Sequence, residues 1–224
     1  IQYAELRLKS ISGEYHWFGC HYKAITSDAG TVAKVVGKLA DISRQRSREQ
    51  ELREQAMRDV LTGIYNKAGE KLIDRMVKEK GQGLFLMLDL NDFKSINDTM
   101  GHAAGDAILT EMGRVLKGAC RENDIVARIG GDEFVMFLPG AFDWQTGKRK
   151  IGEIQDSLRT VMITTWGIRG IRASIGAALC PEDGMDYETL FKAADEAMYL
   201  DKEQSKNRNE SREAGEEKQD RTIS

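Results

Sequence analysis

Cysteine is scarce in these 224 residues, a surplus of either charge is missing, and no long apolar run occurs. Cys20, Cys120 and Cys180 lie far apart, with no CxxC spacing and no metal-like pairing with His16, His21 or His102. That pattern argues against a disulfide framework or a Cys/His metal site and reads as idle thiols in a reducing cytosol. A formal net charge of −3 lacks the basic surplus of a nonspecific duplex-DNA binder, so no DNA partner is expected. A polyphosphate ligand would then be held by a local site and a metal, not by a global field. No stretch reaches the ~18–20 apolar residues of a membrane span, and no signal peptide is visible. The expected location is the cytoplasm. The chain starts at Ile1 already in strand-like alternation, which reads as a piece of a longer protein whose upstream region is free to carry a membrane anchor.

What is present is an ordinary globular composition, 31% charged and 41% hydrophobic, enough for one well-cored domain plus a smaller unit. Residues 3–42 alternate like strands, with turns at Ser12-Gly13-Glu14 and Ser27-Asp28-Ala29-Gly30, and predict a three-stranded meander. Residues 43–58 are charged and free of Gly and Pro, so they predict a linker helix. Its heptad seam (Gln45, Glu49, Leu52, Ala56, Asp59) is too polar for a strong coiled coil. Beyond Asp59 the pattern predicts helices at 66–79, 103–118, 146–163 and 187–203, and strands at 83–90, 125–129, 133–138 and 171–180. The fold class is therefore α+β. The polar, aperiodic tail 208–224 is expected to be disordered.

Three stretches carry candidate chemistry. In Arg128-Ile129-Gly130-Gly131-Asp132-Glu133-Phe134, two strand-like runs flank glycines that predict a tight hairpin, with two acids projecting at the sheet edge. In Leu84 to Asp98, a continuous apolar run predicts a buried strand ending at Asp89, a carboxylate that is costly to bury unless paired or metal-bound. If the two strands are neighbours, Asp89 and Asp132 can share a divalent ion, with Lys94 close by to neutralise phosphate. The third stretch, Gly101-His102-Ala103-Ala104-Gly105-Asp106, opens an amphipathic helix, where Asp106 alone would be read as helix-dipole compensation.

These stretches, with D-V-L-T-G-I-Y-N-K, S-I-G-A-A and A-D-E-A-M-Y-L-D-K-E-Q-S-K-N, resemble the GGDEF family of diguanylate cyclases from Asp59 to Asn207. The resemblance implies an antiparallel sheet flanked by helices, similar to nucleotidyl cyclases and the polymerase palm. It implies condensation of two GTP into cyclic di-GMP by a two-fold homodimer, with Mg²⁺ or Mn²⁺, two ions per active site. Carried over residue by residue, Asp89, Asp132 and the Leu90 carbonyl would hold metal, and Glu133 would assist metal binding or proton removal. Lys94, Lys202 and Lys206, with amides near Asp92 and Phe93, would hold triphosphate, and Asn97 and Asp106 would read guanine. Asp106 favours GTP over ATP because a carboxylate accepts from the N1–H and N2–H₂ donors of guanine. Arg121 and Asp124, which alone would be read as a surface ion pair, match the family's inhibitory product site for cyclic di-GMP.

Two departures stand out: Asn91 replaces an often acidic residue, and Ser205-Lys206 stands where Gly-Arg is frequent. Upstream, E-x-R, G-E-Y-x-W-F, D-A-G and V-G-K-L-A-D-I-S resemble the C-terminal half of a PAS sensor domain. The implied organisation is a partial PAS domain at 1–42, a signalling helix at 43–58, the cyclase domain at 59–207 and the tail at 208–224. The rival is a catalytically silent GGDEF module that binds GTP or cyclic di-GMP as a receptor.

Overall fold

A computed structural model describes residues 1–202 apart from Ala29, Ala141 and 167–172; Lys206 and the tail 208–224 lie outside the described residues. The chain divides into two compact units, one of residues 1–56 and one from 57 onward.

The first unit is a meander of β1 (Gln2–Lys9), β2 (Tyr15–Thr26) and β3 (Val32–Asp41), followed by helix α1 (Ser43–Ala56). The strand-to-helix joint is tied by hydrogen bonds. Asp41 Oδ1 accepts from the Ser43 amide at 2.8 Å, and Ser43 Oγ accepts from the Trp17 amide at 2.9 Å. The Arg46 guanidinium lies 4.0 Å from the centre of the Trp17 ring and pairs with Glu5. Helix α1 buries no residue and carries intrahelical pairs such as Arg53–Glu49, as its polar seam predicts.

The second unit is built on a four-stranded antiparallel sheet in the order β5-β6-β4-β7, formed by β4 (Gly83–Leu90), β5 (Ile125–Gly130), β6 (Glu133–Pro139) and β7 (Ala173–Cys180). Strand β4 is central, which is why its sequence is apolar on both faces. Helices α4 (His102–Gly118) and α5 (Trp144–Trp166) contribute Ile108, Met112, Ile154 and Leu158 to one core with Leu84, Leu86, Leu88 and Phe134. On the other face, α2 (Gly69–Lys80) and the helix over 187–202, α6, bring Ile73, Val77, Leu190 and Met198 onto Phe85, Met87, Val135 and Phe137. A Cβ at Gly176 would stand 1.8 Å from the Ala194 carbonyl oxygen, so the glycine of S-I-G-A-A is what lets α6 lie directly on β7. This is the α+β architecture expected, an antiparallel sheet flanked by helices.

Three details differ from expectation. The first helix starts at Gly69, not 66, because Asn66 Oδ1 accepts from the Ala68 amide and makes a turn instead of a helical start. A further helix, α3 (Phe93–Met100), fills a stretch that the pattern leaves without an element. The acids of the hairpin do not project at a sheet edge: β6 is an inner strand, flanked by β5 and β4.

Burial pushes the Cys120 thiol up to about 12, so it stays a thiol at neutral pH. Among the described residues, no helix is long and apolar enough to cross a membrane.

Candidate active site

The site forms where β4 and β6 end together. Gly130 pairs with Glu133, so Gly131 and Asp132 are the two residues of the hairpin turn; Gly131 has φ +28°. Asp132 thus sits in the turn itself, and Glu133 is the first residue of β6. Glu133 stands directly across from Asp89 on β4. Along β4 the side chains of Phe85, Met87 and Asp89 share one face, and Phe85 and Met87 belong to the core beneath α6. Asp89 therefore points to α6, whose Lys202 places Nζ 2.8 Å from Asp89 Oδ1.

Electrostatics marks the same spot. Burial pushes the Asp89 carboxyl up; the Lys202 hydrogen bond and charge pull it back, Asp132 adds repulsion, and the net is above the usual carboxylate range. Glu133 is likewise raised, first by burial and then by Asp89, Asp132 and Asp195, with Lys202 opposing. An acid cluster short of positive charge, with one ammonium against it, suits a divalent cation. Among the described residues no three acids, histidines or cysteines are grouped closely enough to hold a metal ion by themselves. Mg²⁺ usually takes one or two carboxylates and completes its shell with water and substrate phosphate, so an Asp89–Asp132 pair with the Leu90 carbonyl fits it. Beside these acids a cleft of about 500 Å³ is lined by Asp89, Glu133, Asp195, Tyr199 and Lys202.

The turn is braced from behind by Arg128, which sequence reasoning quoted but gave no role. Its Nε donates to the Gly131 carbonyl at 2.8 Å, and its Nη1 donates to Asp59 Oδ1 at 3.2 Å. Asp59 also accepts from the Thr62 amide (2.9 Å) and Thr62 Oγ1 (2.7 Å).

The remaining candidates follow β4. Asp92 takes the left-handed conformation (φ 57°, ψ 25°), turning the chain so that α3 begins at Phe93. Lys94 is exposed in the first turn of α3, and Asn97 is half-buried one turn on. Helix α4 begins directly after α3, and the two helices pack together. A Cβ on Gly105 would lie 2.0 Å from Asn97 Oδ1 and 3.1 Å from Phe93 Cζ, so only glycine leaves room for Asn97 against α4. Asn97 thus lies against Gly105 of α4, and Asp106 is exposed on the next residue of that helix.

Arg121 and Asp124 form a turn on the far side of the sheet. Asp124 Oδ2 accepts from the Arg121 amide at 2.7 Å, not from its guanidinium, so the surface ion pair read from spacing alone is absent. Both residues line cavities of about 170 and 270 Å³, the first shared with Arg149 and Lys150.

Residues 56–208 match the family model described as "Diguanylate cyclase, GGDEF domain". The chain belongs to the GGDEF family. It is 33% identical over 165 residues to the diguanylate cyclase DgcS of Shewanella oneidensis, a match covering 70% of this chain and 53% of that protein. It is 34% identical over 161 residues to the diguanylate cyclase TpbB of Pseudomonas aeruginosa, covering 69% of this chain and 37% of the relative. The chain thus spans about half or less of the length of these GGDEF relatives. Its fold is similar to the coiled coil and GGDEF domain of DgcB from Caulobacter crescentus, solved in complex with c-di-GMP. That likeness has a TM-score of 0.63 and 28% identity, and covers 72% of this chain and 88% of that one.

Proposed function

We propose that this GGDEF chain is an active diguanylate cyclase, joining two GTP into cyclic di-GMP with release of two pyrophosphates. The observation that carries the reading is the convergence of Asp89, Glu133 and Lys202 at the hairpin turn that presents Asp132. Half-buried carboxylates with raised pKa beside a lysine, in a cleft, are the arrangement expected of a catalytic centre.

In each step the 3′-hydroxyl of one GTP forms a bond to the α-phosphorus of the other. The bond from that phosphorus to the bridging oxygen breaks, and pyrophosphate leaves in line. A divalent ion at Asp89, Asp132 and the Leu90 carbonyl, when bound, supplies the Lewis acidity that lowers the hydroxyl pKa and takes up charge on the phosphate. Glu133 adds negative charge at that centre and either assists metal binding or accepts the hydroxyl proton. Lys94 and Lys202, with Lys206 and the amides around Asp92 and Phe93, neutralise and orient the triphosphate. Asn97 and Asp106 select guanine.

One domain holds one GTP, so two copies meet face to face about a two-fold axis. Product returns to Arg121 and Asp124, where an arginine fork and a carboxylate suit the phosphates and guanines of cyclic di-GMP. The meander at 1–42 is part of a PAS-type sensor, which acts through α1. Calorimetric titration with GTP and with ATP in the presence of Ca²⁺ tests the site. GTP is expected to bind at least tenfold more tightly, and Asp106→Ala should remove that preference; equal affinities in the parent chain would contradict the assignment.

A further inference from the structure

Ser174 is the one polar side chain among the wholly buried described residues, 0% exposed. It lies on β7 in register with Asp89, on the same face of the strand as Ala178 and Cys180, which belong to the core beneath α2 and α6. A hydroxyl in such surroundings costs free energy unless it is hydrogen-bonded, and the sheet ladder uses only its backbone. Its Oγ donates to Asn91 Oδ1 at 2.8 Å, across 83 residues of sequence. Asn91 is the first residue past β4 and immediately precedes Asp92, the one non-glycine residue with positive φ among those described. Such a conformation persists only where flanking contacts over-determine it. The flanking contacts here are Asn91, held by Ser174, and Phe93, packed against the core. The residue between them can then do little but turn, and successive amides in such a turn form a concavity suited to anionic oxygens.

We propose that Ser174 is a positioning residue: acting through Asn91, it fixes the 91–93 turn in the conformation that holds the triphosphate of GTP. This rests on the GTP reading above.

The test combines a double-mutant cycle with a measurement that needs no nucleotide. In the full chain, Ser174→Ala, Asn91→Ala and the double variant are titrated with a non-reactive methylene analogue of GTP and with GMP. Losing one buried hydrogen bond is expected to weaken the analogue about fivefold, while GMP changes by less than about twofold. The double variant should bind no worse than Asn91→Ala, because Ser174 acts through that residue. Amide hydrogen exchange at Asp92 and Phe93 should quicken in Ser174→Ala with exchange in β4 unchanged. Multiplying losses in the double variant, equal loss of GMP and analogue, or unchanged exchange at 92–93 would each overturn the positioning role. A parent chain that binds neither nucleotide overturns the GTP reading, and the triphosphate role with it. A parent that binds, with Ser174→Ala binding equally well, overturns the positioning role alone.

Discussion

Arg128 joins two segments 69 residues apart: one nitrogen bonds to Asp59, and another holds the Gly131 carbonyl of the hairpin turn. Both side chains of the pair are largely buried, at 16% and 22% exposure, so the contact is shielded from the screening that weakens surface ion pairs. Arg128→Ala leaves Asp59 bonded to Thr62 but without its counter-charge, and the Gly131 carbonyl without its donor, and is expected to cost about 1.5–3 kcal/mol in urea unfolding. Cyclase turnover should fall as well, because the turn bearing Asp132 loses its brace. Arg128→Lys should rescue little, since an ammonium lacks the fork that reaches both partners.

The same contact has a pH signature. Burial pushes the Asp59 carboxyl up, but hydrogen bonds from Thr62 and Arg128 outweigh it and hold the group below the usual carboxylate range. A depressed folded value contributes stability that is complete above the unfolded value, ~3.9, and is lost as pH falls through the folded one. The stability gap between parent and Asp59→Asn should therefore be constant from neutrality to about pH 5 and close below about pH 4. A gap that widens in acid would contradict this.

Gly105 predicts a site-directed cost. An alanine there must displace the Asn97 side chain, whose Oδ1 lies 2.0 Å from the added Cβ. Gly105→Ala should raise the KM for GTP about tenfold or more through the lost guanine contact, with a smaller loss of global stability. Steady-state kinetics at saturating Mg²⁺ separates the two effects.

Glu133 predicts the opposite pairing of stability and activity. Its carboxyl is raised by burial and by Asp89, Asp132 and Asp195, so its charge opposes folding at neutral pH. Glu133→Gln should abolish turnover while raising the apo-chain Tm by roughly 1–2 °C, a small gain because solvent screens the group. A fall in Tm would show that the charge is better compensated than its neighbours imply.

Arg121 predicts a regulatory phenotype. Its guanidinium is not engaged by Asp124, whose carboxylate is bonded to the backbone instead. Arg121→Ala should leave initial rates within about twofold and remove the slowing of progress curves as product builds up. Unchanged inhibition by added cyclic di-GMP would remove this turn from the account.

Much of this was legible in the sequence where the signal is local. Strand β4 is readable because Leu84 to Leu88 run apolar up to Asp89, and the hairpin because Gly-Gly interrupts two strand-like runs. The sheet order is not local, so both acids were placed at an edge, whereas Glu133 begins the inner strand β6 and Asp132 sits in the turn before it. Helix α3 was missed because F-K-S-I-N-D-T-M has poor helix propensity; its start depends on the left-handed turn at Asp92, and its hold on Phe93 and Ile96 meeting the core. The supporting contacts were invisible for the same reason. Arg128 finds Asp59, and Ser174 finds Asn91, only after the sheet has formed. Asp89, Asp132 and Lys94 were candidates from their local pattern, whereas the roles of Glu133, Asn97, Asp106 and Lys202 came from the family resemblance; Lys206 lies outside the described residues.

The most direct test is incubation of the chain with GTP and Mg²⁺ over a range of protein concentrations, beside Asp132→Ala, with nucleotides separated by chromatography. The account predicts cyclic di-GMP and pyrophosphate from the parent alone, with specific activity rising with concentration as protomers pair. GTP left intact at the highest concentration, by a chain that still binds cyclic di-GMP, would contradict it and make this GGDEF domain a receptor.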